Sequence, residues 1–114
     1  MSNETSSVTR EHDPDRYQIA VDDAVAGFTQ FVDDSNQRIF FHTVVHKEYG
    51  GRGLGSELVR HALDETRGQG VRIVPVCPYV KAFLERHTEY ADDIDPVTPR
   101  ALELSREAAS RKPA

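Results

Sequence analysis

The sequence predicts a small α+β domain of mixed α/β type, a β-β-β-α-β-α core whose mixed sheet holds one parallel strand pair. Three observations predict it. Between residues 16 and 45 polar and apolar residues roughly alternate in three runs separated by acidic turns, the period-2 pattern of half-buried strands. After Gly53 the period becomes helical, with Leu54, Leu58, Val59, Ala62 and Leu63 on one face. A short, nearly continuous apolar run from Val71 to Val76 follows the helix closely, so strand, helix and strand form a right-handed crossover with parallel pairing.

Residues 1–14 are rich in Ser, Thr and Glu and close on Asp13-Pro14. They bury too little apolar surface to offset the entropy of ordering, and a flexible N-terminal arm is expected. Arg16 to Val21 and Ala24 to Val32 flank Asp22-Asp23 as the strands of a hairpin. Asp33-Asp34-Ser35-Asn36 is a turn cluster, since these side chains bond the local backbone, and Gln37 to Val45 reads as a third strand. Strict alternation along it puts His42 on the side of Phe40 and Val44.

The helix from Leu54 ends at Gly68 and Gly70, which favour termination. In the run that follows, Pro75 lacks a ladder N–H, so this strand splays from its neighbour there. Pro78 suits the first turn of a second helix to about His87, with Val80, Phe83 and Leu84 inward. Residues 93–114 form an acidic, Pro-containing tail with room for one short helix from Thr98 as cap to Ser110.

Length and composition bound the function. At 114 residues, 38% apolar and 29% charged, the chain is one ordinary soluble domain. No apolar run approaches the roughly 20 residues of a membrane span, and Met1 to Ser7 has no signal-peptide pattern. No membrane partner is expected, and the cytoplasm is the expected location. The net charge is −5, and residues 37–87 alone are basic, with eight Lys and Arg against five acids. Without a sustained basic face no nucleic-acid partner is expected. A monomer or weak homodimer is expected, because an exposed sheet edge can pair or be covered. The single Cys77 permits neither an internal disulfide nor a multi-cysteine zinc site. His42 and His46 have the spacing of helical metal ligands, but their segment reads as a strand ending in a loop, and no metal is expected.

Gly50-Gly51-Arg52-Gly53-Leu54-Gly55 lies where the third strand hands over to the helix. Unhindered backbone N–H groups and the positive end of a helix dipole converge there, a geometry that binds phosphate oxygens. It is neither a P-loop, since no Lys follows at the required position, nor the dinucleotide fingerprint, since the glycine spacing differs. In a parallel pair the glycine loop and Cys77 lie at the same sheet edge, where ligands of open α/β sheets sit. Cys77 also precedes the Pro78 helix, whose dipole favours a thiolate.

Tyr49-Gly-Gly-Arg-Gly-Leu-Gly-Ser-Glu-Leu-Val resembles the pyrophosphate loop of the GCN5-related N-acetyltransferases, [R/Q]-x-x-G-x-[G/A], with Gly50 where that superfamily usually has Arg or Gln. The stretches around His42-Thr-Val-Val, Val76-Cys-Pro-Tyr-Val and Arg86-His-Thr-Glu-Tyr are similar to its small, minimal YjdJ-type branch, and the likeness covers residues 15–92. The resemblance implies an acyl-CoA-binding domain that moves an acetyl group from acetyl-CoA to an amine. It places the coenzyme pyrophosphate on Gly50, Gly51, Arg52, Gly53, Leu54, Gly55 and Ser56, and the pantetheine along Val44 and Val45. The branch carries its active-site Cys in a similar Cys-Pro-Phe/Tyr-Val context, which makes Cys77 catalytic, as nucleophile or as the acid that protonates the leaving thiolate. Bordering this site, His42 is a candidate base or acyl-positioning donor, and Tyr79 a candidate wall of the acceptor pocket. The alternative is a non-catalytic module that binds coenzyme A or a nucleotide.

Overall fold

The computed structural model describes residues 5–111. Five strands form one sheet in the order β1-β2-β3-β4-β5: β1 is Ser6–Glu11, β2 Arg16–Val21, β3 Ala24–Asp34, β4 Gln37–Val45 and β5 Arg72–Pro75. The first four pair antiparallel, and β4 pairs parallel with β5. Helix α1 (Leu54–Gly68) makes the crossover, and α2 (Pro78–Arg86) and α3 (Pro99–Ser110) follow β5. The mixed sheet with its parallel pair is the fold class that periodicity predicted, with one further strand at its N-terminal edge and the helix expected from Thr98 at its C-terminal end.

One sheet face carries Tyr17, Ile19, Val21, Phe31, Phe40 and Ile73, all buried against Leu54, Leu58, Val59, Ala62 and Leu63 of α1 and Val80, Phe83 and Leu84 of α2. These α1 positions are the apolar stripe seen in the sequence, so the hydrophobic effect docks this helix by the face its periodicity marks. The other face carries Ile39 and Val74, covered by Ala101 and Leu104 of α3.

The N-terminal arm is corrected. Ser6–Glu11 pairs with Val21–Arg16 along its whole length. Val8 packs on the core, Ser6 Oγ donates to Glu57 Oε2 at 2.7 Å, and the Arg10 guanidinium lies over Phe31, 5.2 Å from its ring centre. An edge strand needs only backbone pairing and one inward face, so its polar composition conceals it. Residues 1–4 of that arm lie outside the described residues.

The C-terminal helix stands where the Thr98 cap and the Ser110 end place it in the sequence. A 12-residue helix runs from Pro99, with the Thr98 hydroxyl accepting from the Ala101 N–H at 3.1 Å, and it supplies the second layer of the core. Residues 112–114 of the expected tail lie outside the described residues.

Strict alternation along β4 fails at one residue. Phe31 pairs with Phe40 and Gln30 with His42, leaving Phe41 without a partner in a β-bulge. The extra residue reverses the facing of everything after it. Thr43 and Val45 therefore join the face of Phe40, and His42 and Val44 turn to the other.

Candidate functional site

Pairing between β4 and β5 ends at Phe40 and Pro75. Beyond it the N–H groups of Val76 and Cys77 both donate to the Phe40 carbonyl, at 3.0 and 2.8 Å, and the chain turns into α2. Residues 41–45 of β4 thus have no strand partner on the β5 side, and the two strands diverge where the missing N–H of Pro75 predicts it.

Cys77 is the N-cap residue of α2 and only 4% exposed. Its side chain makes no cap hydrogen bond to its own helix. Instead the thiol donates to Thr43 Oγ1 at 3.3 Å. Thr43 Oγ1 in turn lies 2.9 Å from Thr29 Oγ1, and Thr29 is fully buried.

The glycine loop closes the same edge of the sheet. Gly51 and Gly53 adopt φ of +80° and +74°, values at which only glycine is unstrained, and a Cβ on either would meet nothing within 4 Å. Gly53 is the N-cap of α1, without a side-chain cap, so the amide groups of the first turn lack intrahelical acceptors. Leu54 sends its side chain into the core and leaves its N–H at the loop, while Ser56 is exposed. Arg52 lies over the Tyr49 ring at 5.5 Å. Gly50 has an ordinary φ of −63°.

Gly55 serves a different purpose from the other glycines. A Cβ there would collide with the Tyr79 hydroxyl and would press on Val45 Cγ2 at 3.3 Å. The end of β4, the first turn of α1 and the first turn of α2 therefore meet at one point above the divergence. Loop, open strand edge and thiol thus lie together at the carboxyl ends of a parallel pair, the edge where open α/β sheets hold ligands.

Residues 16–94 match the GCN5-related N-acetyl-transferase family. The chain belongs to this family. Its fold is also that of a GCN5-like protein from Staphylococcus aureus solved by solution NMR, at 23% identity and a TM-score of 0.63, over 87% of this chain and 95% of that one. No curated protein matches the chain significantly in sequence. Family membership makes acyl transfer the class of chemistry for this domain.

Within this acetyltransferase-family domain the anticipated residues divide into two groups. Cys77, Val45, Tyr79 and the loop Gly50 to Ser56 share one edge. His42 and Val44 do not join them, because the bulge at Phe41 directs them to the opposite face. His42 is exposed and lies against Phe28, with ring centres 5.7 Å apart. Tyr79 stands over α1 beside the loop, although 43% exposed, and so borders the loop rather than a separate pocket. A groove of about 470 Å³ runs along the outer edge of β5, between Lys81 and residues 94–97, away from the loop. Among the described residues no three His, Cys, Asp or Glu side chains converge as a metal group, and no helix is long and apolar enough to cross a membrane.

Thr43 and Thr29 escaped the reading of the sequence. Threonine is an ordinary strand residue, and only the bulge reveals which way Thr43 faces.

Proposed function

We propose that the protein transfers an acetyl group from acetyl-CoA to an amine, and that it belongs to the small YjdJ-type branch of its family, as Cys77-Pro78-Tyr79-Val80 suggests. One observation carries the reading: the glycine-opened end of α1, the unpaired edge of β4 and the buried thiol lie on one path. The first-turn amides of α1 hold the pyrophosphate, aided by the helix dipole. The unpaired β4 backbone then bonds the pantetheine amides, as a further strand would, and brings the thioester to Cys77.

Catalysis is chiefly positioning. The neutral amine attacks the thioester carbonyl carbon, and a tetrahedral oxyanion forms. Its collapse breaks the carbon–sulfur bond, and the departing coenzyme thiolate takes the proton of Cys77. The proton that the amine nitrogen loses on becoming an amide returns to Cys77 through solvent, so amine and thioester give amide and thiol. The acid role fits better than the nucleophilic one, because among the described residues no base faces the thiol: His42 looks away from it, and Thr43 is neutral. His42 is assigned to the acceptor side.

Thermal unfolding with acetyl-CoA is the first test. A ligand at 100 times its dissociation constant adds about 2.7 kcal/mol, equivalent to roughly 10 °C in midpoint for a domain of this size. Coenzyme release that depends on an added amine, with no covalent acetyl on Cys77 in rapid-quench intact mass, supports the reading. Binding without amine-dependent release, across a broad amine panel, favours the non-catalytic coenzyme A module.

A further inference from the structure

We infer that Thr43, backed by Thr29, is a positioning residue that holds the Cys77 proton in both of its states. A hydroxyl carries one donor and two acceptor sites, so a pair of hydroxyls can reverse its direction. With Cys77 as a thiol, the S–H donates to Thr43 Oγ1 at 3.3 Å and the Thr43 O–H donates to Thr29 Oγ1 at 2.9 Å. With Cys77 as a thiolate, the Thr43 O–H turns to the sulfur and the Thr29 O–H turns to Thr43. Only hydrogen bonds change, and no proton leaves either hydroxyl.

The surroundings make such a device necessary. Cys77 belongs to the apolar cluster that includes Phe40, Leu54 and Val80, where an unsolvated thiolate is costly. Among the described residues the thiol has no ionised partner, since His42 faces away and the hydrogen bond goes to a neutral hydroxyl. Thr29 is fully buried, so the second hydroxyl is sheltered from competing water. The bulge at Phe41 is what points Thr43 at the sulfur. Cys77 can therefore give up its proton during transfer and recover it without a charged base beside it.

This inference rests on Cys77 being the acid of acetyl transfer, but its test does not. The rate at which iodoacetamide alkylates Cys77 at neutral pH reads the thiolate without any acetyl-CoA. Thr43→Val should slow alkylation roughly tenfold, the effect of losing one hydrogen bond to a charged group. Thr43→Ser should restore the wild-type rate, and Thr29→Val should give a smaller decrease. Destabilisation alone would speed alkylation of a buried thiol, so a decrease separates positioning from damage to the fold. With acetyl-CoA and an accepted amine, Thr43→Val should lower kcat and leave KM for acetyl-CoA unchanged. Alkylation of Thr43→Val at the wild-type rate, or of Thr43→Ser as slowly as Thr43→Val, would overturn the inference. Should Thr43→Val fail to fold, an unchanged rate in Thr29→Val does the same. Slowed alkylation in a protein that transfers no acetyl group would uphold the hydroxyl pair and reject only the proposed reaction.

Discussion

Arg38 Nη1 donates to the Tyr17 hydroxyl at 2.8 Å inside the core. The same guanidinium holds Asp33 through two bonds of 2.8 and 3.1 Å, reaches Gln69 at 3.0 Å, and lies 4.8 Å from the centre of the Phe31 ring. At 3% exposure, a cation is tolerated only because its donors are met. It ties β2 and β4 to the end of α1 and so fixes the helix whose other end is the glycine loop.

Arg38→Ala should lower stability by about 3 kcal/mol, because it orphans the Tyr17 hydroxyl and removes packing over Phe31. Arg38→Lys should recover little of this, since an ammonium cannot reproduce the planar fork. Urea unfolding measures both, and a loss in Arg38→Ala no larger than that of an exposed arginine would contradict the account.

Alkaline pH should unfold the protein through its tyrosines. Burial pushes Tyr90 up to about 12, and its hydrogen bond to Asp64 adds to the shift; burial also raises Tyr17, against the pull of Arg38. Below pH 10, the ordinary tyrosine value, both states keep these protons and the contribution is intact. Between about 10 and 12 the unfolded chain loses the Tyr90 proton first, so stability falls as pH rises. Tyr90→Phe should flatten the dependence in that window, which denaturant titrations at several pH values would show.

The two kinds of glycine in the loop should respond differently to alanine. Gly53→Ala forces a side chain into a left-handed conformation, at a cost of about 1 kcal/mol, and should weaken coenzyme binding. Gly55→Ala, in a helix that favours alanine, should displace the exposed Tyr79 with a stability change below about 1 kcal/mol. Its main effect should be on coenzyme affinity. Thermal midpoints with and without coenzyme A distinguish the two, and identical behaviour would count against separate roles.

Loss of β1 should matter more than its composition suggests. A chain lacking residues 1–11 uncovers the β2 edge and the Phe31 ring, and should lose about 2 kcal/mol. It should also self-associate through the bared edge. Calorimetry and light scattering measure the two effects, and an unchanged midpoint would restore the view of a loose arm.

His42→Ala tests the division between the two faces. It should leave Cys77 alkylation unaltered and raise KM for the amine. A large drop in kcat at saturating amine would instead bring the imidazole into the chemistry.

Much of this fold was legible because apolar periodicity reports burial directly: β2, β4, α1 and α2 appear within a residue or two of where Arg16, Gln37, Leu54 and Pro78 place them. β1 was hidden because its stability comes from backbone pairing, which Ser6 to Glu11 accomplish without an apolar run. The bulge was hidden because Phe40 and Phe41 are alike, and nothing local says which of them leaves the ladder. The loop and the thiol stood out because four glycines fall within residues 50–55 and the chain has a single cysteine, whereas the two threonines resemble any strand residue.

A single unpaired phenylalanine thus acts as a selector. Were the bulge at Phe41 ironed out, the outer half of β4 would turn over as a unit, and the sulfur would meet the imidazole of His42 in place of the hydroxyl of Thr43. A sheet of the same length and order would then offer a thiol beside a base, the pairing of a nucleophile. The choice between two cysteine chemistries would lie in the count of residues between two hydrogen bonds.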